Sequence, residues 1–214
     1  MQKRLIRTFE LAYECLRQRI NGGRIRVENE ASLQLQFSSI IKDVGELLVW
    51  SADELFTIEL EKPVSLSIGN FGKSKTNKAK IDIFFTFQDR SNKVIHACAV
   101  ELKFFKKNNH REPNNRYDVF SDISNLECYG EVAEHCYLVI ATDHDHYVDQ
   151  SEYSADTADF DFRDGSKYVD GTHLEYRTST PYGEPITLTS SYEFSWERVT
   201  GGINFLKLAV DPTG

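Results

Sequence analysis

The chain has 214 residues, 40% hydrophobic and 27% charged, a balance that can bury a core and argues against wholesale disorder. Its formal net charge of −8 weighs against nucleic-acid binding, because phosphate contacts need clustered Lys and Arg. No window approaches the roughly eighteen uninterrupted apolar residues of a membrane span. No apolar stretch follows the charged start Met1 to Arg7, so no secretory signal is expected. Cys15, Cys98, Cys128 and Cys136 lack C-x-x-C spacing, which predicts reduced thiols in a cytoplasmic protein.

Residues 2–20 predict an amphipathic helix, with Leu5, Phe9, Ala12 and Leu16 near helical spacing and Asn21-Gly22-Gly23 as its stop. A second helix is expected over about 28–50, on the stripe Leu33, Phe37, Ile40, Ile41, Val44, Leu47 and Leu48. The period then changes: residues 56–60 and 63–68 read as short strands, and 68–77 as a loop rich in Gly, Ser and Lys. Residues 80–88 and 94–105 predict two strands, joined by the turn-forming run 89–93. Residues 117–131 look helical, and the continuous apolar run 135–142 predicts a buried strand. Residues 147–182 are acidic and irregular, while 186–189, 192–196 and 205–210 add late strands or a short helix. The order predicts an α/β protein with a mixed central sheet flanked by helices. One domain is expected over 1–214, with a core over about 28–142 and an acidic C-terminal extension over about 143–214.

The charge is unevenly spread. Residues 143–170 are strongly acidic, whereas Lys73, Lys75, Lys78 and Lys80, and later Lys103, Lys106, Lys107 and Arg111, form two basic runs. Between and beside these runs lie Lys80-Ile81-Asp82-Ile83 and Val100-Glu101-Leu102-Lys103-Phe104. Alternation along a strand puts Glu101 and Lys103 on one face and Val100, Leu102 and Phe104 on the other. Charged groups inside apolar strands must be paired or bind an ion. If the hairpin register brings Asp82 to Glu101, the two carboxylates make a hard oxygen site suited to Mg²⁺ or Mn²⁺. An ammonium beside them, Lys103, can position water and stabilise developing charge. The bland alternative for the trio is a cross-strand salt bridge.

Ile81-Asp82 followed by Glu101-Leu102-Lys103 resembles the motif of the PD-(D/E)XK nuclease superfamily, with Ile81 where that motif has Pro. The resemblance covers about 28–142. It implies a restriction endonuclease-like core and Mg²⁺-dependent hydrolysis of nucleic-acid phosphodiesters, DNA preferred, by a restriction- or defence-type endonuclease. A homodimer is compatible with it. Members often carry a further acid on the preceding helix. At ~100° per residue Glu30 shares the inward stripe with Phe37 and Ile41, whereas Glu46 lies roughly 160° away, so Glu30 is the candidate and Gln34 its neighbour. Lys75, Lys78, Lys80, Lys106, Lys107 and Arg111 flank the trio and are the candidate phosphate contacts. Asp118 and Asp122, one turn apart on the helix after Lys103, could line the edge of the cleft, but such acids more often face solvent or stand at a helix start, so they are not placed among the ligands. In Thr142-Asp143-His144-Asp145-His146 the histidines alternate with the aspartates, so a single shared ion is awkward and a polar strand end is expected. Neither a G-x-x-x-x-G-K-[ST] nor a G-x-G-x-x-G loop is present, so NTP hydrolysis and dinucleotide binding have no support. The rival reading is a noncatalytic nuclease-like domain that binds a protein or nucleic acid, in keeping with the negative charge.

Overall fold

Two helices open the chain, α1 (Gln2–Asn21) and α2 (Glu30–Leu47), in a computed structural model that describes residues 1–65 and 78–212. The second begins two residues later than its hydrophobic stripe predicts because Asn29 caps it. The Asn29 side chain accepts from the Ser32 N–H at 2.8 Å, and Ser32 Oγ accepts from the Asn29 N–H at 3.0 Å. This reciprocal pair satisfies N–H groups that the helix start leaves free. The helix stops at Leu47 rather than near 50, leaving Trp50 exposed beneath the Arg4 guanidinium, 4.3 Å from its ring centroid.

Strand β1 (Glu54–Ser65) is continuous where two short strands were expected, and residues 66–77 lie outside the described part. Pro63 is tolerated within it because β1 is the edge of the sheet, where a missing N–H breaks no inner ladder. It pairs with β2 (Lys78–Asp89), which pairs with β3 (Val94–Phe105). Helix α3 (Glu112–Glu127) starts five residues before the expected 117, with Pro113 in its first turn, where no N–H is needed. A single 3-10 turn (Cys128–Glu131) leads to β4 (His135–Thr142), parallel to β3.

Beyond β4 come a one-turn helix α4 (His146–Asp149), the two-residue strands β5 (Lys167–Tyr168), β6 (His173–Leu174), β7 (Ile186–Thr187), β8 (Tyr192–Glu193) and β9 (Trp196–Glu197), and then β10 (Asn204–Val210). The central sheet has six strands in the order β1-β2-β3-β4-β10-β9, mixed because only the β3–β4 pair is parallel. β5 pairs with β8, and β6 with β7, as small separate ribbons.

Both faces of the sheet are covered. On one, Leu5, Phe9, Leu16, Phe37 and Ile41 of α1 and α2 meet Phe85, Val100, Leu102 and Val139. On the other, Phe120, Ile123 and Leu126 of α3 join Phe160, Phe162, Leu188, Phe194 and Trp196 over Leu138, Ile140 and Leu206. This is why β4 is apolar at successive positions rather than alternating: seven of its eight residues are buried. Residues beyond 142 thus supply a sheet strand and much of one hydrophobic layer. Among the described residues no helix is long and apolar enough to cross a membrane.

Candidate active site

Strands β2 and β3 pair from Asp89 and Val94 as far as Ile83 and Val100, and then stop. The next residues on the two strands are Asp82 and Glu101. On the outer side, Leu60 pairs with Ile83 and Lys62 with Ile81, skipping Glu61, which has φ 51°. The local twist is large enough that Ile81 packs on the α3 side of the sheet and Ile83 on the α1 and α2 side. The sheet therefore forks at the two carboxylates.

Backbone groups freed by the fork are taken up by side chains. Asp82 Oδ2 accepts from the Leu102 N–H at 2.7 Å, and the Gln34 side-chain amide of α2 donates to the Asp82 carbonyl at 2.7 Å. The Asp82 and Glu101 carboxyl groups are neighbours across the fork, and the Asp82 charge helps to raise Glu101. Glu101 is buried, 5% exposed, and its Oε1 accepts from the Tyr129 hydroxyl at 3.0 Å. Lys103 lies on the same face of β3, where its ammonium forms an ion pair with Asp122 of α3 and donates to the Leu102 carbonyl at 3.1 Å. Glu30, first residue of α2, faces Lys103, Asp82 and Asp122. Its side chain is the solvent-exposed member of the set.

Four carboxyl groups around one ammonium carry more negative charge than the protein balances. Burial, then the neighbouring Asp82 and Asp122 carboxylates, hold Glu101 well above the usual carboxylate range. Burial also raises Asp82, and the Lys103 charge only partly opposes this. For Lys103 burial acts to lower the pKa, but Asp122, Glu30 and Glu101 override it and hold the ammonium charged. Burial and the Glu101 carboxylate raise the Tyr129 hydroxyl, which stays a donor.

Among the described residues, no group of three or more His, Cys, Asp or Glu side chains that could hold a metal ion is present. The carboxyl pair at the fork is Asp82 and Glu101. A divalent cation that keeps several waters needs no more than one or two carboxylates, and carboxylate oxygens are the hard donors that Mg²⁺ or Mn²⁺ takes.

The basic candidates are dispersed around this point. Lys80, two residues before Asp82, is exposed and reaches Glu61 at 3.6 Å; Lys106, just after β3, pairs with Glu28 at 3.1 Å. Lys107 is exposed, with its N–H bonded to Asp143, and Arg111 at the start of α3 donates to the Tyr182 hydroxyl at 3.3 Å. Lys78 is exposed at the start of β2, and Lys75 lies outside the described residues. Exposed pairs of this kind contribute little and exchange readily for phosphate.

Two residues of the cluster escape the strand-based reading. Asp122, expected in solvent, is 5% exposed against Lys103, and Tyr129 is 1% exposed against Glu101. A signal for both was present: Asp122 sits three residues after Val119 and four before Leu126, and Tyr129 continues that inward stripe. The histidine pair after β4 does something different from strand alternation. His144 turns to Glu112 at 3.2 Å, and His146 starts α4 with its ring buried beside Tyr153. Comparisons of the chain with protein-family models, curated proteins and solved structures find no match.

Proposed function

We propose that the protein is a metal-dependent nuclease that hydrolyses nucleic-acid phosphodiester bonds on a PD-(D/E)XK-type core, with DNA the preferred polymer. The observation that carries this reading is that the β2–β3 ladder stops at Asp82 and Glu101, which stand as neighbours at the fork, with Lys103 two residues further along the same face. Asp82 and Glu101 would hold Mg²⁺ or Mn²⁺ through carboxylate oxygens. Such an ion, when bound, acidifies a coordinated water and stabilises charge on the phosphate oxygens. Lys103 would orient the attacking water in line with the leaving oxygen and stabilise the same developing charge. Glu30, on the solvent side, would assist through a bound water. Lys80, Lys106, Lys107 and Arg111 would contact the flanking phosphates.

One observation favours the rival, a noncatalytic nuclease-like domain: the Lys103 ammonium is already engaged by Asp122. A cleavage assay decides between them. Plasmid, linear duplex, single-stranded DNA and RNA are incubated with Mg²⁺ or Mn²⁺, beside Glu101→Ala and Lys103→Ala proteins and a chelator blank. Metal-dependent cutting that both folded variants lose supports the nuclease. No cutting, together with no cation binding that depends on Asp82 and Glu101, supports the noncatalytic domain.

A further inference from the structure

Lys103 stands where it has a choice of counter-ion. Glu101 is two residues away on the same face of β3, Asp82 is across the fork, Glu30 approaches from α2, and Asp122 faces it from α3. In a site this poor in water an ammonium settles against a carboxylate rather than between waters. Among the described residues, the carboxylate within ion-pair distance of Lys103 is Asp122 alone. The two carboxyls at the fork are satisfied differently, by neutral donors: Leu102 N–H for Asp82 and the Tyr129 hydroxyl for Glu101.

We infer that Asp122 is a positioning residue of this site: by holding the Lys103 ammonium against α3, it keeps Lys103 from becoming the internal counter-ion of Asp82 and Glu101 and leaves those two carboxyls for a divalent cation. The inference rests on the reading of Asp82 and Glu101 as cation ligands. Its physical basis is competition. A flexible four-carbon stem lets an ammonium reach either side, and a cation already seated between two carboxylates must be displaced before Mg²⁺ or Mn²⁺ can bind. Asp122 is fixed for this task by packing, since the helix that carries it buries Val119 one turn before it and Leu126 one turn after it against the sheet. It is itself 5% exposed, so water does not screen the pair.

The test is a cation-binding cycle that does not depend on catalysis. Mn²⁺ affinity is measured by isothermal titration calorimetry on wild type, Asp122→Asn, Lys103→Met and the double variant, with circular dichroism melting curves to confirm folding. Asp122→Asn weakens Mn²⁺ binding by about tenfold or more, the range seen when a group that orients a metal site is lost. Lys103→Met binds at least as tightly as wild type. The double variant recovers to within about threefold of wild type, a coupling that independent effects would not show. It also replaces both members of a buried pair, a change commonly tolerated where removal of one member is not. Unchanged affinity in Asp122→Asn overturns the inference. So does weak binding that Lys103→Met does not restore, which would make Asp122 a ligand or a purely structural residue. Wild type that binds no Mn²⁺ overturns the reading of the two carboxyls as ligands, and this inference with it.

Discussion

Asp82 Oδ2 receives the Leu102 N–H at 2.7 Å across the gap where β2 and β3 have ceased to pair. A donor that the ladder would have used is thereby given to a side chain, and the carboxylate is held to the neighbouring strand by backbone rather than by a flexible partner. The same contact brings Asp82 to Glu101, one residue before Leu102. A buried N–H left unmet would be costly, so the fork and the carboxylate depend on one another.

Asp82→Asn and Asp82→Ala separate the two roles. The Asn carbonyl oxygen can still accept from Leu102, so its melting curve without added metal stays close to wild type. Ala leaves the N–H unmet and costs about 1–2 kcal/mol in urea unfolding. If Asp82 and Glu101 hold Mg²⁺ as proposed, the ion stabilises wild type by about 2.7 kcal/mol at a hundredfold excess over Kd, and both variants lose that stabilisation. A persistent Mg²⁺ shift in Asp82→Asn would remove Asp82 from the ligand set.

The pair Arg4–Glu54 ties α1 to the start of β1, with the Trp50 N–H as a further donor to Glu54 at 2.8 Å. The Arg4 guanidinium, above all, lowers the Glu54 carboxyl from 4.5 to about 2. A lowered folded-state value means stability that is present above the unfolded pKa and lost as pH falls through the folded one. The contribution of Glu54 therefore disappears between about pH 4.5 and pH 2. In urea titrations, the gap between wild type and Glu54→Gln should narrow over that window. A gap that stays constant with pH would show that Glu54 acts through neutral hydrogen bonds alone.

Lys93 closes the β2–β3 turn with φ 55°, a left-handed conformation that suits glycine. Relief of that strain exceeds the entropy that glycine adds to the unfolded chain, so Lys93→Gly stabilises the protein by about 0.5–1 kcal/mol. Lys93→Ala gives no such gain. Equal stabilities for the two variants in chemical denaturation would refute the backbone explanation.

Arg116 is 2% exposed and lies 3.7 Å from the Tyr153 ring centroid, and it has no ion-pair partner among the described residues. It donates instead to the Thr157 and Phe160 carbonyls at 3.0 and 3.1 Å and to the Thr157 hydroxyl at 2.6 Å. Arg116→Ala strands those acceptors and opens a cavity, at a cost of about 3 kcal/mol or more. Limited proteolysis should then cut first within residues 153–162. Cleavage elsewhere would mean that Arg116 does not anchor this segment.

Much of the site was legible in local pattern. Alternation along residues 94–105 put Glu101 and Lys103 on one face and Val100, Leu102 and Phe104 on the other, and the apolar members indeed meet α1 and α2. Helix rotation turned Glu30, rather than Glu46, toward the sheet, where it faces Lys103 and Asp82. Asp122 was not legible in the same way. Its spacing from Val119 and Leu126 pointed inward, but an acid is buried only when a partner awaits it, and that partner sits on a different element.

Sequence alone determined the elements and their faces, because a period of two or of 3.6 is a property of the backbone and of neighbouring side chains. It determined the mixed α/β class and that Glu101 and Lys103 share a face of β3. Only the tertiary structure decided that β10 inserts beside β4, with the irregular acidic stretch before it helping to cover the α3 face. Tertiary structure also decided that β2 and β3 part at Asp82, and that Lys103 turns to α3 rather than to Glu101. These outcomes join residues far apart in the chain, and which partner a charge or a strand edge takes is set by what packing brings beside it.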